Sequence, residues 1–436
     1  MEALKNKRVV VAGLGKFGGQ IAAAKWLVAQ GARVLVTDRS PAEKLAASVA
    51  ELDGLPIEFR LAEHRTDDFK TADLIVASPA IPPHNPYLAA ARAAGVPVTT
   101  EIRLFVERCP TTRIVGVTGT KGKSTTTALL GRMLASKYTT HVGGNIGKPL
   151  LLDLARISRD DVVVLELSSF MLEYLRDLSW SPHVAVVTML SADHLDWHGS
   201  ADAYLDAKKL IVKHQRGGDV AVLAEGGEHA DELRALTRGR VVTFSTDARE
   251  KFELKIPGWH NQFNCQAAWT AARELGVTFD EAQAAVRDFP GLPHRLNLVH
   301  ESAGVRWFDD SIATIPQAAV AALDSFPPHT VIQIVGGSDK KLEFAAMADA
   351  LAARAKAVLC IGTTGPRIAE LVRTSVATPK RGVLHECGDL ETAVRTAKSL
   401  AASGDVVLLS TGCASYDQFD NFEQRGERFA ELARSD

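Results

Sequence analysis

A short β-branched run, Ile114 to Val117, breaks into Thr118-Gly-Thr-Lys-Gly-Lys-Ser124 and reopens at Thr125 ahead of Ala128-Leu129-Leu130. The pattern reads as strand, glycine turn, helix. Gly119 and Gly122 let backbone N–H groups converge on anionic oxygens, and the helix N-terminus adds positive potential. Lys123 supplies a point charge and Ser124 a hydroxyl able to ligate Mg²⁺. Position 117, where the first glycine of G-x-x-x-x-G-K-S belongs, holds Val117, yet Gly119 and Gly122 suffice for the nest. The chemistry is nucleotide phosphate binding by Gly119, Thr120, Lys121, Gly122, Lys123, Ser124 and Thr125. Two further strand ends carry compatible groups. Val162-Val-Val-Leu-Glu166 ends in an acid, the place where a phosphate-loop protein holds Mg²⁺ or its water. Val184-Ala-Val-Val-Thr188 leads into Ala192-Asp-His-Leu-Asp-Trp-His198, again placing metal-capable groups at a strand's carboxyl end.

The elements that position these groups form three α/β blocks: residues 1–107, 108–293 and 294–436. The first opens with Arg8-Val-Val-Val-Ala-Gly-Leu-Gly-Lys-Phe-Gly18, a strand entering G-x-G-x-x-G, then a helix from Ile21 to Ala29 and a strand ending at Asp38. An acid about twenty residues past the last glycine is the Rossmann arrangement for a ribose hydroxyl. The turn alone leaves a dinucleotide coenzyme, a sugar nucleotide or no ligand open. In the second block, Gly258-Trp-His-Asn261 reads as a polar turn ahead of a helical pattern from Ala267 to Leu275. The third repeats the alternation with strands at Val331–Val335, Ala357–Ile361 and Val406–Leu409. Three such domains in series, one with a phosphate loop, suggest an enzyme that closes over ATP and two other substrates.

Composition narrows the class. At 436 residues, 46% hydrophobic and 23% charged, the chain resembles an ordinary globular protein. A net charge of −2 gives no reason to expect nucleic acid or an anionic membrane as partner. The five cysteines form no C-x-x-C pair and read as reduced thiols. No signal-peptide pattern and no bilayer-length apolar run occur, so the expected location is cytoplasmic. A monomer is the expected state.

Thr118–Ser124, Glu166-Leu-Ser-Ser-Phe170, Asp193-His-Leu-Asp196, Tyr204-Leu-Asp-Ala-Lys208, His260-Asn261 with Asn264, and Leu292-Pro-His-Arg295 occur in the order found in the Mur ligases. The chain resembles that family over essentially its whole length. The terminal Ala414-Ser-Tyr-Asp-Gln-Phe-Asp-Asn-Phe-Glu-Gln-Arg-Gly426 resembles the members that add D-glutamate to UDP-N-acetylmuramoyl-L-alanine. The resemblance implies an ADP-forming amide ligase of peptidoglycan precursor synthesis. It would use ATP and Mg²⁺ and pass through an acyl phosphate. Its implied catalytic groups are Lys123, Glu166, His194 and Lys208. Metal ligation is implied for Ser124, Glu166, His194 and Lys208, the lysine as a carbamate, since a bare ammonium cannot ligate a cation. Asn261, Asn264, Arg295 and Asp310 would join the phosphate loop in holding ATP. Gly13, Leu14, Gly15, Lys16, Asp38, Arg39, Ser78 and Asn145 would take the UDP-substrate, and Thr314, Lys340, Ser415 and Phe422 the glutamate.

Two positions depart from the family pattern. Lys121 stands where asparagine is frequent, and Ile312 in Asp310-Ser-Ile-Ala-Thr-Ile315 stands where a lysine contacts the incoming glutamate. Lys340 with Lys341 would then provide the charge for that pocket. A sister ligase adding L-glutamate and a folylpolyglutamate synthetase-like ligase remain alternatives. A non-enzymatic phosphate-loop switch would leave Glu166, His194 and Lys208 without a role, and a nicotinamide dehydrogenase would do the same for two thirds of the chain.

Overall fold

The computed structural model describes residues 4–15, 18–191, 195–245, 247, 250–375 and 383–435. Three sheets form, one in each block. The first, β1 (Arg8–Ala12), β2 (Arg33–Asp38), β3 (Ile57–Leu61), β4 (Leu74–Ala77) and β5 (Val98–Thr99), is all parallel in the order β3-β2-β1-β4-β5. The order reverses between β1 and β4, which opens a crevice beyond their carboxyl ends.

The second sheet contains β6 (Ile114–Thr118), β7 (Thr140–Gly144), β8 (Val162–Glu166), β9 (Val184–Val187), β10 (Val220–Ala224) and β11 (Arg240–Phe244). It is also wholly parallel, ordered β11-β10-β9-β6-β8-β7. All residues of β6, β8 and β9 are buried, as their unbroken apolar runs require of strands covered on both faces.

The third sheet is mixed. β12 (Asn297–Ser302), β13 (Val305–Asp309), β14 (Val331–Gly336), β15 (Ala357–Ile361), β16 (Val383–Gly388) and β17 (Val406–Leu409) follow the order β12-β13-β17-β14-β15-β16. The sequence reading missed β12, which pairs antiparallel with β13 through a hairpin at Ala303 (φ 51°) and Gly304 (φ 76°). Positive φ at both central residues is the turn that matches strand twist. Alternation then splits the core: Val331, Val335, Val406 and Leu408 face one helical layer, and Ile332, Ile334, Val407 and Leu409 the other.

The described chain divides into two compact units. One runs to Lys251 and includes Phe263–Ala285, and so holds the first two sheets; the other comprises Phe252–Gln262 and the residues from Val286 on. Within the first unit, Tyr174 Oη donates to the Ile81 carbonyl (2.6 Å) and Trp197 Nε1 to the Ala80 carbonyl (3.1 Å), fastening the loop after β4 to the central sheet. All five cysteines are free thiols. Among the described residues no helix is long and apolar enough to cross a membrane.

Helix Lys123–Ala135 carries a glycine where propensity favours alanine, by about 1 kcal/mol. A Cβ on Gly131 would stand 2.5 Å from Val142 Cγ2 on β7. Overpacking costs about 1–3 kcal/mol, so Gly131→Ala is expected to lower the urea-unfolding midpoint of the first unit. Combined with Val142→Ala it should cost less than the two single changes together. A stabilised Gly131→Ala, or strict additivity, would contradict this packing.

Candidate active site

Thr118 ends β6, and its neighbours in register are Val187 of β9 and, one residue earlier at Val117, Glu166 of β8. The phosphate loop therefore leaves the middle of the sheet with a strand end on either side. Gly119 has φ 155° and packs so closely on Thr188 that a Cβ would collide with its hydroxyl, which donates to the Lys121 carbonyl (2.6 Å), while the Thr188 N–H donates to the Thr118 carbonyl. Thr120 N donates to the Met189 carbonyl (2.7 Å), and Thr120 Oγ1 pairs with Tyr204 Oη (2.9 Å). Gly122, at φ 86°, caps helix Lys123–Ala135 and abuts the Asn264 carboxamide. Thr126 Oγ1 reaches the Asn264 carbonyl at 3.4 Å. Lys123 Nζ folds onto the loop, donating to the carbonyls of Gly119 (2.9 Å) and Thr120 (3.0 Å). Ser124 is half-buried and Thr125 buried in the first helical turn, while Lys121 is exposed.

Glu166 is 1% exposed, and its two carboxylate oxygens differ. Oε1 accepts from Asn145 Nδ2 (2.8 Å); Oε2 is buried and has no hydrogen-bond partner among the described residues. Gly144 (φ 95°) brings its own backbone against the Glu166 carbonyl, which accepts from Asn145 N at 2.9 Å. Asn145, expected to touch substrate, thus also aims the acid. A buried carboxylate oxygen left unsatisfied is costly, and a divalent cation would satisfy it, so this residue fits the implied Mg²⁺. Lys208 is 2% exposed on helix Ala201–Lys213; its Nζ donates to the Gly119 carbonyl (2.7 Å) and Thr118 Oγ1 (3.3 Å) and lies 4.9 Å from the Tyr204 ring centroid. In this donor role it braces the loop; only as a carbamate would it accept a metal. His194 lies outside the described residues. Among those described, no group of three His, Cys, Asp or Glu side chains gathers for a metal.

In the first sheet, Gly13 N donates to the Thr37 carbonyl and Ser78 N to the Ala12 carbonyl, each at 2.8 Å, at the switch point between β1 and β4. A Cβ on Gly13 (φ 81°) would meet Ser78 Cβ at 3.1 Å. The Asp38 carboxylate accepts from Gly15 N (3.1 Å) and Ser40 N (2.7 Å), so it organises the glycine turn. Leu14 points into the core, Arg39 is exposed, and Lys16 lies outside the described residues.

The remaining expected residues, Asn264 apart, belong to the second unit. Helix Trp259–Glu274 starts earlier than the expected Ala267, directly after Gly258 (φ 97°), so His260 and Asn261 lie in its first turn. These polar residues carry no apolar period, which hid the helix start. Asn261 Nδ2 bonds back to the Pro257 carbonyl (2.6 Å). Burial pushes the His260 imidazole down to about 4, with Arg295 adding to the effect. Asp310 accepts from Ser410 Oγ (2.6 Å) and Leu296 N (3.2 Å), and burial raises its carboxyl to about 7 despite those bonds and the Arg295 charge. Its present work is to hold the Arg295–Leu296 turn. Asp309, given no role by the sequence, bonds His294 Nδ1 (2.7 Å) and Ser311 N (2.9 Å), and Phe422 meets the His294 ring edge-on at 6.0 Å. Thr314 is half-buried, Ser415 buried, and exposed Lys340 lies 5.5 Å from the Tyr416 ring centroid.

A phosphate loop with an unsatisfied carboxylate oxygen at the next strand end is built to manage nucleoside triphosphate. Three family models match in series: the Mur ligase MurD-like N-terminal domain over residues 7–100, the Mur ligase middle domain over 117–255, and the Mur ligase glutamate ligase domain over 294–413. The chain is 42% identical to the UDP-N-acetylmuramoylalanine–D-glutamate ligase of Roseiflexus sp. (99% of each chain covered). It is 38% identical to that of Symbiobacterium thermophilum (99% and 98% covered). The fold resembles the UDP-N-acetylmuramate–alanine ligase MurC of Thermotoga maritima (TM-score 0.62, 21% identity, 98% and 99% covered). It also resembles the MurF ligase of the same organism, solved with ADP (TM-score 0.58, 19% identity, 99% and 98% covered). The chain belongs to the Mur ligase family.

The Asp309 hydrogen bond raises the His294 imidazole above its ordinary range against the opposing effect of burial, with the charges of Asp309, Glu423 and Glu427 adding to it. The fold therefore favours imidazolium: the pair contributes stability below the unfolded value of about 6.5 and loses it as pH rises through the raised value. The gap in urea midpoint between wild type and His294→Gln is expected to narrow from about pH 6 to about pH 8.5. A gap constant over that window would refute the charged pair.

Proposed function

We propose that this protein is the ATP-dependent, ADP-forming ligase that joins D-glutamate to UDP-N-acetylmuramoyl-L-alanine in peptidoglycan precursor synthesis. The observation that carries the reading is the phosphate loop with Glu166 Oε2 beside it, in a chain similar over its full length to D-glutamate ligases. A carboxylate is a poor acyl donor. Transfer of the γ-phosphoryl group of ATP to the alanine carboxylate makes an acyl phosphate; the glutamate amine attacks, and phosphate leaves from the tetrahedral intermediate. Such chemistry needs alignment and charge neutralisation more than covalent help.

In this reading Lys123 leaves its loop carbonyls to meet the β/γ-phosphates, and the backbone N–H groups around Gly119 and Gly122 cradle them. Ser124 and Glu166 would hold one Mg²⁺, and His194 with carbamylated Lys208 a second; bound there, the cations would neutralise charge on the transferring phosphoryl group. Asn261, Asn264, Arg295 and Asp310 serve the nucleotide. Gly13, Leu14, Gly15, Lys16, Asp38, Arg39, Ser78 and Asn145 serve the UDP-substrate. Thr314, Lys340, Ser415 and Phe422 serve glutamate. The sequence blocks 1–107, 108–293 and 294–436 would then be the UDP-sugar, ATP and glutamate domains. The enzyme would work as a cytoplasmic monomer on small molecules, without nucleic acid or membrane as partner.

Phosphate release with UDP-N-acetylmuramoyl-L-alanine and ATP should depend on D-glutamate; release driven only by L-glutamate would make this the sister ligase. Lys123→Ala should abolish turnover with the fold intact by circular dichroism, because one phosphate-facing charge matters more to the transition state than to the core. Near-normal turnover would remove the phosphate-loop assignment. With Ile312 offering no charge, Lys340→Ala should raise KM for glutamate about tenfold to a hundredfold, the worth of one charge-assisted contact, with KM for ATP little changed. Unchanged glutamate kinetics would mean that the pocket lies elsewhere.

A further inference from the structure

Arg425 ties together segments assigned to nucleotide and to glutamate, yet has no role in either assignment. It lies one turn into helix Phe422–Arg434 and is 1% exposed. Its guanidinium donates from Nε to Ser311 Oγ (2.9 Å), from Nη2 to the Ser311 carbonyl (2.8 Å) and from Nη1 to the Cys413 carbonyl (3.1 Å). Ser311 stands between Asp310 and Ile312, three residues before Thr314; Cys413 stands two before Ser415. One side chain thus adds three bonds between the segments that carry the proposed glutamate contacts, beyond the β13–β17 pairing and the Gly412 N–H bond to the Ala313 carbonyl (3.0 Å) that already join them. The same stretch of helix presses on a third segment: a Cβ on Gly426 would collide with His294 and come within 2.5 Å of Asp309 Oδ2.

Two features make this more than packing. A planar fork with donors in several directions is needed to reach a hydroxyl and two carbonyls at once, and no other side chain supplies it. The acceptors, moreover, are neutral oxygens, so none of these hydrogen bonds is an ion pair, and the buried charge is offset only from a distance by the Asp417 and Asp309 carboxylates. Burial pushes the guanidinium down to about 10, with Asp417 and Asp309 among the groups opposing it, and it stays charged at neutral pH. A buried charge with no carboxylate bonded to it acts over several ångströms. The neighbouring Ile312 carries no charge of its own.

We infer that Arg425 is a positioning residue for the amino-acid substrate: it fixes the spacing of the Thr314 and Ser415 segments and supplies, from beneath them, positive potential that favours the glutamate carboxylates. The inference rests on the glutamate-ligase reading above. Neither half requires Arg425 to touch substrate.

The test is steady-state phosphate release by the full chain with ATP, UDP-N-acetylmuramoyl-L-alanine and D-glutamate. Arg425→Gln keeps a donor and removes the charge; Arg425→Lys keeps the charge and loses the fork. The glutamine variant is expected to raise KM for glutamate about tenfold or more, with KM for ATP and the muramoyl substrate within about twofold. The lysine variant should recover a large part of that loss. A lysine variant no better than glutamine, or equal rises in all three constants, would overturn the proposal. If Arg425→Gln fails to fold, Ser311→Ala removes one acceptor and no charge; it should raise KM for glutamate about two- to fivefold, and no change would overturn the positioning role. Wild-type phosphate release independent of any amino acid would refute the ligase reading itself, whereas glutamate-dependent turnover with unaltered KM in Arg425→Gln would refute only this inference.

Discussion

The close contact between Gly119 and Thr188 is the constraint on which the first unit's chemistry depends. Parallel pairing puts the ends of β6, β8 and β9 side by side, and Thr188 then clamps both arms of the phosphate loop, its hydroxyl donating to the Lys121 carbonyl and its N–H to the Thr118 carbonyl. The loop cannot drift from the sheet without breaking these bonds, nor approach closer than a glycine allows. Lys208, Tyr204 and Thr120 brace it from the other side. A backbone cradle held this rigidly is preorganised for anionic oxygens, the condition phosphoryl transfer favours, with the Lys123 side chain the part left to turn onto them.

Several of the groups proposed to work on substrate are buried without full satisfaction, a condition they share with residues given no such role, Glu101 and Gln333 among them. Glu166 Oε2 has no hydrogen-bond partner among the described residues although its twin oxygen is fixed by Asn145. Arg425 carries a charge whose bonds go to neutral oxygens. Asp310 is driven up to about 7 in a place where it still accepts two bonds. Each arrangement costs folding free energy in isolation. Glu166 and Asp310 stand at or just beyond strand ends, where parallel sheets present groups that handle charge.

The third sheet supports its site differently from the first two. Its loops are held by the start of one helix, where Phe422, Arg425 and Gly426 meet His294, Asp309, Ser311 and Cys413. The C-terminal motif thus acts as a template for segments more than a hundred residues earlier. Its glycine is needed for close approach, its arginine for reach in three directions, and its aromatic ring for the edge contact with the imidazole.

Local chemistry in the sequence already determined the phosphate loop, the acid at the end of β8 and the α/β class, because glycine spacing, a helix start and apolar runs act within a few residues of chain. The order of motifs was enough to indicate the family. What only the tertiary structure decided is which partners those groups have. Asp38, expected to face ribose, and Asp310, expected to help hold ATP, are engaged by backbone N–H groups and a serine brought from elsewhere in the fold; Asn145 turns toward Glu166; β12 pairs because a two-residue turn folds it back on β13. Arg425 was visible as part of a motif, but its acceptors lie twelve and 114 residues away. Side-chain type fixes what a group can donate or accept; strand order and helix packing determine which distant atoms come within the 3 Å or so where that capacity acts.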